Sequence, residues 1–216
     1  MAVTHILGVL PARWGSTRFP GKPLHNIAGK SLIQRVWEQC SRCEKLDQVV
    51  VATDDQRIMD AVSDFGGTAV MTRDDHPSGT DRIAEVAEQF PAATHYINIQ
   101  GDEPQIDPDL VDQLATELVN DPDLPMITAA NPLAANDNAV SDPNVVKVTL
   151  TRDSNALYFS RSPIPFARQT QSDLVYYRHK GIYGFQRKFL LDFVSWSPSM
   201  LEKAESLEQL RALENG

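Results

Sequence analysis

Short runs of aliphatic and β-branched residues alternate along the chain with stretches whose apolar positions recur at intervals of three and four. This is the pattern of strands joined by amphipathic helices. It predicts strands at His5–Leu10, Gln48–Thr53, Thr68–Met71 and His95–Gln100, and helices at Ser31–Cys40, Asp55–Phe65, Thr80–Phe90 and Pro108–Val119. Pro108 falls in a first helical turn, where its missing N–H is tolerated; Thr80 is placed to cap its helix; Gly66-Gly67 ends the helix before it. Leu46–Val51 is rich in β-branched residues, as a strand covered on both faces should be. The expected fold class is α/β, three-layered, with a mostly parallel central sheet and flanking helices.

The second half is less regular. Strands are predicted at Met126–Ala130, Val145–Leu150, Ala156–Ser160 and Tyr176–Phe185, and the closeness of the last three suggests a smaller mixed or antiparallel lobe. Helices are predicted at Arg187–Val194 and Leu201–Leu213. In the latter, Leu201, Ala204, Leu207, Leu210 and Leu213 form a drifting apolar seam, with Glu202, Glu205, Ser206 and Gln209 off it. Asn131–Asn144 lacks periodicity and reads as a loop at a lobe junction. A length of 216 residues suits one domain, with a core over about 1–130 and a second lobe over about 145–186.

Charge narrows the partners. Twenty Lys and Arg against 29 Asp and Glu give a net charge of -9, which argues against nonspecific attraction to nucleic acid or an anionic membrane. No apolar run approaches the roughly 20 residues that span a bilayer, and no basic segment precedes an apolar one at the amino terminus. Cys40 and Cys43 are the only cysteines. They fit ordinary reduced thiols better than a redox pair or half of a metal site, and a cytoplasmic location is expected.

Against this acidic background, Pro11–Lys30 carries Arg13, Arg18, Lys22 and Lys30 and no acidic residue. The run follows the first strand and is punctuated by Gly15, Gly21 and Gly29, so it places cations and flexible backbone where open α/β sheets bind ligands. A phosphate chain fits these donors; a solvated basic loop is the plainer alternative. Neither a GxGxxG nor a GxxxxGK[ST] spacing is present. The complementary charge comes at Gln100-Gly-Asp-Glu-Pro104, where Asp102 lies just past a strand and can hold Mg2+ against phosphate oxygens or cap a turn. Arg73–Arg82 places hydroxyls and backbone N–H groups at Ser78, Gly79 and Thr80 to read a base edge or cap a helix. Arg161, Arg178, His179 and Lys180 return positive charge to the second half, suiting an anionic second substrate or simply the surface.

The ordered blocks Leu10–Leu24, Val51-Ala-Thr-Asp54, His76–Arg82, Gln100–Pro104, Asp142–Lys147, Ala156–Arg161, His179–Gly184 and Leu207–Arg211 cover nearly the whole chain. Their order resembles the sugar nucleotidyltransferases of nucleotide-diphospho-sugar transferase-like fold, and among them the 3-deoxy-D-manno-octulosonate (Kdo) cytidylyltransferases of lipopolysaccharide biosynthesis. The resemblance implies transfer of CMP from CTP to Kdo with release of pyrophosphate, dependence on Mg2+, and a homodimer formed through the second lobe. It implies triphosphate contacts at Arg13 and Lys22, with Arg18 nearby, cytidine recognition at Arg73, Ser78 and Gly79, and metal binding at Asp102. Gln100, Arg161, His179, Glu208 and Gln209 match the sugar-site group, where His179 serves recognition rather than general-base catalysis. Relatives of this kind continue past the Leu201–Leu213 helix into a segment with a second acidic metal ligand, which these 216 residues do not contain. Three other readings remain open at this point: 8-amino-Kdo or another 2-keto sugar acid as acceptor, transfer of UMP, TMP or CMP to a sugar phosphate or polyol phosphate, and a weakened nucleotide-binding homologue.

Overall fold

The computed structural model describes residues 4–15, 19–169 and 174–216. They form two compact units, residues 1–127 with 182–194, and residues 128–181 with 195–216. The second therefore takes in the carboxyl-terminal helices, and the division falls before the Asn-rich stretch expected to mark it.

In the first unit, β1 (Ile6–Ala12) leads to a small hairpin, β2 (Asn26–Ile27) and β3 (Lys30–Ser31), and then to α1 (Leu32–Cys40). Next come β4 (Gln48–Thr53), α2 (Gln56–Asp64), β5 (Thr68–Met71), α3 (Gly79–Gln89), β6 (His95–Asn98) and α4 (Pro108–Asn120). β1 pairs in parallel with both β4 and β6, and β4 in parallel with β5. The mostly parallel sheet is thus as expected. Local chemistry sets the helix starts: Ser31, Asp55, Ser78 and Asp107 each cap a helix by accepting an N–H of its first turn. Ser78 rather than Thr80 is the cap of α3; Thr80 is buried inside its first turn.

β7 (Met126–Ala134) and β8 (Lys147–Leu150) follow, then β9 (Ala156–Ser160) and β10 (Val175–Gln186). β7 runs on through Asn131–Ala134, so the expected loop is strand at its start and holds a 3-10 turn at Asn138–Val140. β10 serves both units. Its Tyr183–Gln186 pair antiparallel with β6, while Tyr177 and Arg178 pair antiparallel with β8, which pairs in turn with β9.

One face of the first unit's sheet presents Leu7, Val9, Val50, Ala52 and Tyr96, packed against Ile83, Val86 and Ala87 of α3 and Leu190 of α5 (Arg187–Ser195). Alternation turns Ile97 to the opposite face, where a side chain at Gly184 would meet Ile97 and Leu118 of α4. Each fully buried aliphatic side chain contributes about 1.5–3 kcal/mol, so covering both faces supplies most of the unit's stability.

The expected helix Leu201–Leu213 is two helices, α6 (Met200–Glu205) and α7 (Leu210–Glu214), broken at Ser206 with φ 53 and ψ 50. A repeat of three lags the 3.6-residue turn, so a straight helix cannot hold all five seam residues on one face. The break puts Leu207 and Leu210 in the second unit's core with Val148 and Phe159, and leaves Ala204 exposed. It also buries Gln209, expected off the seam. A Ser199–Glu202 capping box starts α6, and Arg211 grips the Glu202 carboxylate with two bonds of 2.8 and 2.6 Å. Left-handed backbone costs a residue with a Cβ about 1–2 kcal/mol. Ser206→Gly is therefore expected to stabilise the protein by about 0.5–1 kcal/mol in urea denaturation; a loss of stability would show that the serine side chain matters more than its backbone.

Candidate active site

β1 lies in parallel register with β4, Ala12 opposite Thr53, so the residues after both strands emerge side by side. Asp54 Oδ1 accepts the Trp14 N–H at 3.0 Å, and Gly21 N–H donates to the Trp14 carbonyl at 3.1 Å. Gly21 has φ 69, which favours glycine, and a Cβ there would also crowd the Trp14 ring at 2.9 Å. Arg57, held by two bonds to Asp55, sits 3.3 Å from the Trp14 ring centroid on a cation–π contact. Trp14 is therefore held by Asp54, Gly21 and Arg57. Arg18 lies outside the described residues.

Lys22 opens a 3-10 turn, and its ammonium pairs with the Asp102 carboxylate. Asp102 reaches this position because Gln100-Gly101 passes close over the end of β1: a Cβ on Gly101 would stand 2.7 Å from the Pro11 carbonyl oxygen. Arg13, Phe19, Lys22, Gln100 and Asp102 line a cavity of about 470 Å3. Both charged groups are substantially exposed, at 41% and 48%, so a ligand can replace either partner at little cost. Asp102 is the one carboxylate lining this cavity among the described residues, and those residues contain no group of three metal-binding side chains. The donor set suits Mg2+ held by one carboxylate together with phosphate oxygens, and does not suit an all-protein cage.

A second cavity of about 230 Å3 shares Pro11, Arg13 and Gln100 with the first and continues to His76, Ser78, Gly79 and Arg82. Ser78 is fixed as the α3 cap, accepting the Asp81 N–H at 3.2 Å and bonding the Asp81 carboxylate. Arg73 lines neither cavity; its backbone N–H donates to Glu85 at 3.1 Å, and the same oxygen binds His76 Nε2. Burial raises the Glu85 pKa, but the Arg73 N–H and His76 outweigh it and hold the carboxyl below its ordinary range. Arg82, at the edge of the second cavity, forms a buried pair with Asp54 at 2.9 Å and also donates to Thr72 Oγ1. Neither Asp54 nor Arg82 was expected as a functional residue. The signal available was Asp54's position one residue past a strand end, as Asp102 lies past β6.

The second unit holds the remaining candidates. Arg161 donates from Nε to the Glu205 carbonyl at 2.7 Å, from one terminal nitrogen to the Pro143 carbonyl at 3.0 Å and from the other to Ser206 at 3.3 Å. Glu205 accepts from Ser160 Oγ and the Arg161 N–H, and so anchors the end of β9. Lys147 is fully buried, with its ammonium bonded to the carbonyls of Asp142, Val145 and Arg161. Burial lowers its pKa, an effect that Asp142 and Glu205 oppose. Gln209 is buried and Glu208 lies 4.0 Å from Arg211. His179 is buried, Nε2 at 2.9 Å from Thr128 Oγ1, its ring edge-on to Phe159. The thiols of Cys40 and Cys43 are both free, and burial raises both pKa values, that of Cys43 to about 12, so neither is a thiolate at neutral pH.

The two adjoining cavities thus open past the carboxyl ends of a parallel sheet, the position at which open α/β proteins hold their ligands. The family model described as Cytidylyltransferase matches residues 7–216. A 3-deoxy-manno-octulosonate cytidylyltransferase of Pelobacter propionicus is 49% identical over 98% of this chain and 86% of its own. One of Leptospira interrogans is 53% identical over 98% of this chain and 84% of its own. The solved structure of CMP:2-keto-3-deoxy-manno-octonic acid synthetase complexed with CTP superposes with a TM-score of 0.94 at 46% identity, covering 99% of this chain and 87% of that one. The chain belongs to the cytidylyltransferase family.

Burial pushes the His179 pKa from 6.5 down to about 4. The unfolded imidazole takes up its proton first as pH falls, so His179 contributes fully above pH 6.5, progressively less below it, and nothing below about 4. Between pH 7 and 5 the wild type is expected to lose about 2 kcal/mol through this group, a loss absent in His179→Gln. Urea midpoints at the two pH values check this; equal losses in both proteins would contradict the buried neutral state.

Proposed function

We propose that this protein transfers CMP from CTP to Kdo, forming CMP-Kdo and pyrophosphate. The observation that carries the reading is the meeting of Arg13, Lys22 and Asp102 in one cavity that continues, through Arg13 and Gln100, to the capped start of α3. The triphosphate lies in the larger cavity and the cytosine in the smaller, against Ser78 and Gly79.

The anomeric hydroxyl oxygen of the sugar attacks the α-phosphorus while the bond to the β-phosphate breaks. Pyrophosphate leaves with the electron pair, and the hydroxyl proton passes to solvent. Arg13 and Lys22 neutralise the charge that gathers on the leaving phosphates, with Lys22 exchanging its exposed Asp102 partner for phosphate oxygens. Asp102 would hold Mg2+ there, and the ion would supply further charge neutralisation when bound. No protein nucleophile takes part; positioning the two substrates is the main task of the chain. Arg161, His179, Glu208 and Gln209 recognise the acidic sugar. His179, neutral at pH 7 with Nε2 against Thr128, serves there as a hydrogen-bonding group. The second lobe joins two copies as a homodimer. No helix among the described residues is long and apolar enough to cross a membrane.

Incubation with CTP, Mg2+ and either Kdo or 8-amino-Kdo, followed by mass determination of the product, tests the reading. CMP-Kdo and pyrophosphate in equal amounts are expected. Preferential use of the amino sugar would change the acceptor, and nucleotide binding without pyrophosphate release would overturn the transferase. Lys22→Ala is expected to lower turnover on the order of 10²-fold with circular dichroism unchanged, and Asp102→Asn to remove the Mg2+-dependent part of the rate. Steady-state kinetics near wild type in either variant would remove that residue from the mechanism.

A further inference from the structure

Asp54 touches neither cavity, yet both are built from segments that it joins. One carboxylate oxygen accepts the N–H of Trp14, the residue after Arg13; the other accepts from Arg82 of α3 at 2.9 Å. The second arm of Arg82 reaches Thr72 Oγ1, and Thr72 is doubly bonded to the Thr53 carbonyl, through its N–H at 2.8 Å and its hydroxyl at 3.0 Å. The result is a closed network over residues 14, 53, 54, 72 and 82, with the Asp54 and Arg82 side chains only 10% and 4% exposed. Stability alone is a weak account of such a pair, because well-packed apolar replacements of buried ion pairs are often neutral or stabilising. What an apolar pair lacks is direction. The fork of Arg82 and the two lone-pair faces of Asp54 fix a distance and an angle between the loop that carries Arg13 and the helix that begins at Ser78 and Gly79.

We infer that Asp54 and Arg82 are positioning residues that hold the phosphate-binding loop and the base-binding helix in register, so that the two cavities act on one nucleotide. The inference rests on the reading of those cavities given under the proposed function. Its consequence concerns linkage. A ligand that spans two correctly spaced subsites gains from the second as an intramolecular event, whereas fragments that fill one subsite gain nothing from the spacing. A misplacement of about 1 Å is also enough to cost on the order of 10²-fold in rate.

The test compares Asp54→Asn with wild type in the binding of CTP, CMP and inorganic tripolyphosphate by calorimetry, together with kcat and KM for CTP. Arg82→Lys, which keeps a cation opposite Asp54 and removes one arm of the fork, is measured in parallel. The expected result is fragment affinities within about threefold of wild type, CTP affinity down at least about tenfold and kcat reduced further. A fall in CTP affinity no larger than the combined fragment losses would overturn the inference, as would unchanged CTP binding and turnover. Loss of folding in both variants would make the pair a structural staple and equally overturn it. Failure of the wild type to bind CTP is a different result: it removes the reading of the cavities and the inference with it.

Discussion

The parallel register of β1, with Val9 opposite Val50 on one side and Asn98 on the other, decides where the chemistry of the first unit emerges. Past the end of β1 comes Arg13, past β4 comes Asp54, and past β6 come Gln100, Gly101 and Asp102. A slip of one residue in either pairing would exchange the two faces of a strand buried on both sides, so the register is strongly specified by the core. The absence of a Cβ at Gly101 then lets the acidic turn approach the Pro11 carbonyl. Site geometry here is a consequence of sheet packing, extended by two glycines at points of close approach.

Electrostatics divides between groups that stay paired and groups free to exchange. Asp54 and Arg82 are buried, and breaking such a pair leaves an uncompensated charge at a cost of several kcal/mol. Lys22 and Asp102 face solvent, and an exposed pair is worth only about 0–1 kcal/mol. A polyanion entering with its cation can therefore take Lys22 and release Asp102 with little penalty. The same division holds in the second unit, where Lys147 is fully satisfied by three carbonyls and fixes the chain around Arg161. In a protein of net charge -9, the acid-free loop that carries Arg13 and Lys22 puts positive charge where an anionic substrate needs it.

Much of this was legible in the sequence because the first unit follows local rules. Short runs of aliphatic and β-branched residues marked β4 and β5 to the residue, and β9 likewise in the second unit, while the inversion of charge over Pro11–Lys30 marked the loop. The errors arose where tertiary contacts outweigh local ones. Ser78 and Thr80 are both cap-forming residues, serine the better of the two, and Thr80 is buried inside the first turn. The helix over Leu201–Leu213 breaks because burying Leu207 and Leu210 and pairing Arg211 with Glu202 outweigh the strain at Ser206. Asp54 and Arg82 stood within recognised motifs without a role, since a pair 28 residues apart declares itself only when the strands are assembled. Lys147 was opaque for a related reason: its three acceptors are backbone carbonyls, which carry no side-chain signature.

A crystal structure of the protein with CTP and Mg2+ decides whether one nucleotide spans the crevice at the ends of β1 and β6. Triphosphate density is expected between Arg13 and Lys22, with the cation on Asp102, Lys22 withdrawn from that carboxylate, and the cytosine at Ser78 and Gly79. Nucleotide density elsewhere, or a triphosphate bound with the Lys22–Asp102 pair intact, would show that the two cavities do not serve one nucleotide.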